Sequence, residues 1–259
     1  IEPLWEGPID VVGDIHGESG PLFQLLDSMG YDGNGVHPEG RRLVFVGDFV
    51  DRGPDSITVL LFIMQLVRCG RAQAVLGNHE LNLLRGSRKH GNAWFWGETE
   101  SITKEPKVGP SAVSFQRLAD GEFREQALSF LKTLPVALER HDVRVVHACW
   151  HAESIERMRA CTAQDALSAL ELFDEELRPL LTAETDEVER DLLKQNRNPV
   201  RVLTSGLEQR SSAPFYAGGR LRAISRRAWW EDYGDRELAV FGHFWRAFPR
   251  PATCAPALA

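Results

Sequence analysis

Cysteine is scarce and scattered. Cys69, Cys149, Cys161 and Cys254 are the four thiols of 259 residues, and no two stand at the spacing of a zinc ribbon. That argues against a disulfide framework and against a thiolate metal site, and reduced thiols are expected. Basic charge is in deficit as well: 30 Lys and Arg face 37 Asp and Glu, a net charge of -7. A protein that grips long nucleic acid by its phosphates needs a basic face, so that class is excluded and an anionic substrate must be held by local cations. No apolar run approaches the roughly eighteen residues that span a bilayer. The first residues, IEPLWEGPID, lack the basic-then-apolar order of a secretory leader. A cytoplasmic protein is expected, although a chain beginning with Ile rather than Met leaves a lost leader open. Also missing are the GK[ST] of a P-loop and the GxGxxG of a dinucleotide fold, so the glycines of GDIHGESG are a weak sign of a nucleotide loop. There is no internal repeat, low-complexity tract or flexible linker.

What is present is ordinary in bulk and particular in detail. Hydrophobic residues at 43% and charged residues at 26% describe a globular chain with a substantial core. The length suits a single domain over 1–259. Three apolar runs, IDVVGD at 9–14, RLVFVGD at 42–48 and AQAVLGN at 72–78, each end in glycine and a small oxygen-bearing side chain. They read as buried strands. Helical patterns at about 21–30 and 55–69 separate them, the second with Asp55 in its first turn. The order β-α-β-α-β predicts an α/β fold with a parallel sheet whose carboxyl ends gather on one edge, where Asp14, Asp48 and Asn78 would converge. Further on, a helix is predicted at 123–133 and strands at VALER, VRVVH, PVRVLTSG and ELAVFGH. The acidic stretch from about 154 to 196 has apolar residues at helical intervals. The last residues, RPATCAPALA, read as irregular.

The stretch RVVHACWHAE sets His147 and His151 four apart, as a zinc-binding helix would. Such a helix also needs a glutamate beside its first histidine, and Ala148 stands there. The run Val143, Val145 and Val146 instead predicts a strand delivering His147 at its end, with His151 a helix-end or packing residue. Collected from the strand ends, the chemistry-bearing residues are Asp14 and His16, Asp48 and Asp51, Asn78 and His79, His147 and His243. Oxygen and imidazole donors without thiolate suit Mn²⁺, Fe or Zn²⁺. Asp48, with two carboxylate oxygens, can bridge two ions. Asp14, His16 and Asp48 would hold the first, and Asp48, Asn78, His147 and His243 the second.

The blocks GDIHG, GDFVDRG and GNHE, followed by lone histidines in VVHA and FGHF, resemble the phosphoprotein phosphatase family of calcineurin-like dinuclear metallophosphoesterases. The resemblance runs from about Ile9 to Phe244, with much of the intervening chain unmatched. It departs at Ala148 and Cys149, where the family usually has glycines. It implies a β-sandwich flanked by helices around a βαβαβ metal-binding core, with two divalent ions, Mn²⁺ first among them. It also implies in-line attack on phosphorus by a metal-bridging hydroxide. Arg52 would grip phosphoryl oxygens together with Asn78, His79 would protonate the leaving group, and Asp51 would orient His79. A second phosphate-gripping arginine is expected among Arg220, Arg222, Arg226 and Arg227.

The favoured activity is hydrolysis of a phosphate monoester on a protein. The alternative is a dinucleoside polyphosphate hydrolase, since RGPDSITVL through LGNHELNLL is also similar to the bacterial diadenosine tetraphosphatases. A third reading, a non-catalytic phosphate-binding module, has no use for an acid and its orienter. Cap or lid segments are expected around 86–122 and 154–196. Trp94 and Trp96 are expected in the core, the alternative being a platform on which a nucleobase stacks. No obligate protein partner is implied. Related enzymes often continue beyond the position of His243, so a minimal or truncated terminus is expected.

Overall fold

The computed structural model describes residues 1–104, 112–217, 220–244 and 257–258. The strands, in chain order, are β1 (Glu2–Pro3), β2 (Ile9–Val12), β3 (Arg42–Phe45), β4 (Ala72–Ala74), β5 (Ser101–Lys104), β6 (Ala112–Phe115), β7 (Ala137–Glu139), β8 (Val143–Val146), β9 (Glu208–Ala217), β10 (Arg220–Arg226), β11 (Leu238–Phe241) and β12 (Ala257–Leu258). The helices are α1 (Ser19–Ser28), α2 (Ser56–Arg68), α3 (Asn78–Leu84), α4 (Gly121–Leu131), α5 (Ala152–Ala160), α6 (Ala166–Ala183), α7 (Glu187–Arg197) and α8 (Pro199–Ser205). The chain packs as two compact units, one of Trp5–Leu134 and one of Ile1–Leu4 with Pro135–Ala259.

The first unit is built on the parallel sheet β2-β3-β4. Its central strand, β3, carries Leu43, Val44 and Phe45 in succession, all buried. A continuous apolar run is what a parallel strand covered on both faces requires. Helix α2 packs on β4 and starts where the sequence places it: the Asp55 carboxylate accepts the Thr58 N–H at 3.0 Å, closing an end that would otherwise leave donors unpaired. Main-chain bonds then tie the strand exits together. Ile15 and His16 both donate to the Asp48 carbonyl, at 3.0 and 2.9 Å, and Gly17 donates to Phe49 O at 2.8 Å. The βαβαβ core is therefore present, and its carboxyl ends deliver the GD blocks to one edge.

In the second unit the sheet order is β1-β7-β8-β11-β12. Strands β8 and β11 pair in parallel with Val146 opposite Phe241, so His147 and His243 leave the sheet on adjacent strands. The acidic stretch forms α5, α6 and α7, as its periodicity predicts; α6 buries Ala166, Ala169, Leu170, Phe173 and Leu177 on one face. The expectation of a strand at PVRVLTSG is wrong: residues Pro199–Ser205 are helical. Asn198 caps this helix by accepting the Val200 N–H at 3.1 Å, Pro199 occupies a first-turn position that needs no N–H, and Gly206 (φ 83°) ends the helix. Those end signals, with Val200, Val202 and Leu203 buried, outweigh the β preference of the valines. Among the described residues no helix is long and apolar enough to cross a membrane. Cys69, Cys149 and Cys161 are free thiols, and Cys254 lies outside the described residues.

Candidate metal and phosphate site

The backbone itself marks the site. Among the described residues, five that are not glycine carry positive φ: His16 (48°), Asp48 (51°), Asp51 (72°), Arg52 (65°) and His243 (64°). Left-handed backbone at such residues costs about 1–3 kcal/mol each and persists only where the surroundings over-determine it. All five belong to the set singled out from the sequence.

In the unit Trp5–Leu134, His16, Asp48 and His79 form a candidate metal group whose ligand atoms lie within 4.8 Å of one another. His16 Nε2 is 3.7 Å and His79 Nε2 3.9 Å from Asp48 Oδ2. The other ring nitrogen of His16, Nδ1, lies 3.1 Å from the Val50 carbonyl; as the donor there it leaves the Nε2 lone pair on the Asp48 side. Burial, with lesser contributions from Arg52 and His79, pushes the His16 pKa down to about 4 against the pull of Asp48. A histidine held neutral with its lone pair beside a buried carboxylate fits a divalent cation. Asp14, an expected ligand, is exposed at the exit of β2 and stands outside that group. Asn78 is the first residue of α3.

Beside this group lies a buried histidine–carboxylate pair. His79 Nδ1 is 2.6 Å from Asp51 Oδ2, with both side chains buried. Burial disfavours the charged imidazole, yet the hydrogen bond to Asp51 and the charge of Asp48 prevail and raise the His79 pKa above its ordinary value. Arg52 sets Nη1 3.0 Å from His16 Nε2 and Nη2 3.1 Å from His79 Nε2, so its planar fork lies across both imidazoles.

One residue that sequence reasoning passed over organises this edge. Glu80 is fully buried, and its carboxylate accepts the main-chain N–H groups of Asp48, Phe49, Val50 and Gly77 at 2.8, 2.8, 3.3 and 3.1 Å. The signal was available: Glu80 is the third residue of a helix capped by Gly77, a position from which glutamate reaches back to the cap. Gly77 is required because a Cβ there would lie 2.4 Å from both Asp48 N and Oδ1. Gly77→Ala is accordingly expected to lower stability by about 1–3 kcal/mol, measured by urea denaturation, and a variant as stable as the parent would show that the loops can part freely.

In the other unit, His147 is buried and its ring centroid is 5.2 Å from that of His243. Gly242 N–H donates to His147 O at 2.9 Å. Ala148, the departure from the family pattern, is buried, with its carbonyl accepting the Trp229 indole N–H at 2.9 Å. His151 sits at the start of α5 with Nδ1 2.9 Å from Ser154 Oγ, the helix-end position expected of it. Burial pushes the neighbouring Cys149 thiol up to about 12, so it stays protonated. Of the four arginines on β10 and after it, Arg226 places Nη1 3.4 Å from His243 O, whereas Arg227 pairs with Asp232 at 2.6 Å.

The expected core position holds for Trp94, which is fully buried together with its neighbour Phe95. Trp94 is thereby removed as a stacking platform. Trp96 is half-buried, with the Arg88 guanidinium 5.2 Å from its ring centre.

The sequence pattern of the calcineurin-like phosphoesterases matches residues 7–244, and the chain belongs to that family. The α/β fold is the family's, and membership implies divalent metal ions. Asymmetrical bis(5'-nucleosyl)-tetraphosphatase PrpE of Bacillus subtilis is 32% identical over 157 residues, 56% of this chain and 59% of that protein. The enzyme of the same name from Oceanobacillus iheyensis is 42% identical over 106 residues, 38% of this chain and 42% of that one. The chain thus matches less than two thirds of the length of either relative. Among solved structures, a protein serine/threonine phosphatase from Saccharomyces cerevisiae superposes with a TM-score of 0.49 at 16% identity, covering 92% of this chain and 61% of that one.

Proposed function

We propose that this metallophosphoesterase hydrolyses a phosphoanhydride of a dinucleoside polyphosphate, the alternative weighed from the sequence, in preference to the phosphoprotein activity favoured there. The observation that carries the proposal is the identity of 32% and 42% to bis(5'-nucleosyl)-tetraphosphatases. The likeness to a protein phosphatase is distant by comparison, at 16% identity. A nucleotide substrate accords with the cytoplasmic location expected from the sequence.

In this reading Asp14, His16 and Asp48 hold one cation, and Asp48, Asn78, His147 and His243 the other. The oxygen and imidazole donors favour Mn²⁺. Bound divalent ions supply Lewis acidity and a water acidic enough to attack phosphorus near neutral pH. The chain's own residues do the rest. Arg52 offers two parallel N–H donors to the phosphoryl oxygens, and Asn78 adds an amide donor beside it. His79 donates a proton from Nε2 to the departing oxygen, and Asp51 holds Nδ1 so that Nε2 faces the substrate. Arg226, at the His243 carbonyl, is the second phosphate-gripping arginine.

A second reading, hydrolysis of a phosphate monoester such as a phosphoprotein, is favoured by the Asp51–His79 pair. A departing alkoxide needs a proton, whereas a departing nucleoside phosphate needs one much less. Relative kcat/KM on diadenosine tetraphosphate and on a phosphoserine peptide, both with Mn²⁺, separates the two. We expect at least about tenfold preference for the dinucleotide, a margin of about 1.4 kcal/mol in transition-state binding, with one nucleoside triphosphate and one monophosphate as products. A preference for the peptide would reverse the assignment. Absence of turnover on both, and on p-nitrophenyl phosphate, would leave only a phosphate-binding module.

A further inference from the structure

We propose that Trp94 is a positioning residue for proton transfer: its indole N–H fixes the plane of the Asp51 carboxylate and so aims His79. The proposal rests on the acid and orienter roles given above to His79 and Asp51. Trp94 Nε1 donates to Asp51 Oδ1 at 2.8 Å, while His79 Nδ1 takes the other oxygen, Oδ2, at 2.6 Å. A carboxylate turns easily about its last side-chain bond, whose torsional preference is broad. One hydrogen bond on each oxygen stops that rotation. The orienter is thus itself oriented, by a neutral donor that brings no charge to compete with His79.

The tryptophan is held firmly enough for the task. It is fully buried, makes an edge contact with Phe95 at 5.5 Å between ring centres, and lies 6.3 Å from Phe123. Its carbonyl accepts the Ala119 N–H at 2.9 Å. A buried indole needs some acceptor, and a main-chain carbonyl would have served; here it is the carboxylate that orients His79. The same segment grips the neighbouring turn at further points. Arg52 N–H donates to Gly91 O at 3.3 Å, and Gln116 Nε2 donates to both Gly53 O and Gly91 O, at 3.2 and 3.1 Å. Residues 91–94 therefore buttress the Asp51–Gly53 turn.

Trp94→Phe removes the N–H and some packing, so the test must separate the two effects. An acid matters for a poor leaving group and little for a good one. With Mn²⁺ present, kcat of Trp94→Phe should fall about tenfold on phenyl phosphate, within about twofold on p-nitrophenyl phosphate, and with little change in KM on either. A packing defect would lower both rates alike; equal losses, or none, overturn the proposal. The second readout needs neither metal nor turnover: the indole ¹⁵N–¹H resonance that disappears in Trp94→Phe should shift in Asp51→Asn. A resonance that stays in place refutes the hydrogen bond. His79→Asn serves as the control on the underlying assignment. If it shows no dependence on the leaving group, the acid role fails and takes this inference with it; if it does and Trp94→Phe does not, only the inference falls.

Discussion

Replacing Asp48 by Asn is expected to lower metal binding at the site and to cut turnover by about 10³-fold or more, because activation of water and charge stabilisation both depend on the bound cations. The fold should survive. The main-chain position of Asp48 is set by groups other than its own carboxylate: Glu80 receives its N–H, and its carbonyl accepts from Ile15 and His16. Asparagine has the same shape, tolerates the observed φ of 51° better than most residues, and can still accept the His79 N–H that Asp48 Oδ1 takes at 3.1 Å. What disappears is a buried negative charge beside two histidines. Its loss withdraws the attraction that helps hold a proton on His79 and also relieves the cost of burying a carboxylate, so the stripped variant should unfold at nearly the same urea concentration as the stripped parent. Elemental analysis after dialysis against Mn²⁺, set beside kcat on p-nitrophenyl phosphate, checks the expectation. A variant that keeps both its metal and its rate would remove Asp48 from the ligand set and with it the proposed mechanism.

The parts of this structure that were legible from sequence share one property: their cause is local. Strands β2, β3 and β4 announce themselves by short apolar runs, and α2 by Asp55 at its cap. The glycine-flanked candidate ligands are visible because a turn at a strand end needs permissive residues within one or two positions. What was hidden depends on partners far along the chain. Trp94 acts on a residue 43 positions earlier, and Glu80, whose reach back to the Gly77 cap is local, also serves backbone 30 to 32 positions earlier that nothing in its own neighbourhood names. The segment 199–205 fails for the opposite reason. Its valines announce a strand, but the cap at Asn198, Pro199 and Gly206 decide for a helix, and end signals count for more than interior preference in a helix of two turns. The long antiparallel pair of β9 and β10 carries no such signal, because the polar residues 208–212 and Pro214 leave β9 without an apolar alternation.

Glu80→Ala is expected to destabilise the protein by about 3–5 kcal/mol, the range found when one partner of a buried charged network is removed. Four main-chain donors converge on this carboxylate: Oε1 serves Phe49 and Val50, while Oε2 serves Asp48 and Gly77. Truncation leaves those donors without their acceptor in a place where unmet N–H groups are costly. Glu80→Gln should recover only part of the loss, since one amide oxygen can accept on one side while its NH₂ faces donors on the other. Glu80 joins the loop that carries Asp48, Asp51 and Arg52 to the first turn of α3, which carries Asn78 and His79. Stability and kcat should therefore fall together across the series Glu, Gln, Ala, rather than stability alone. Urea denaturation with an unchanged slope gives the first quantity, and turnover of p-nitrophenyl phosphate well below the unfolding range gives the second. A loss under about 1 kcal/mol in the alanine variant would mean that water replaces the carboxylate at little cost, and that the strained backbone at Asp48 is held by the strand exits alone.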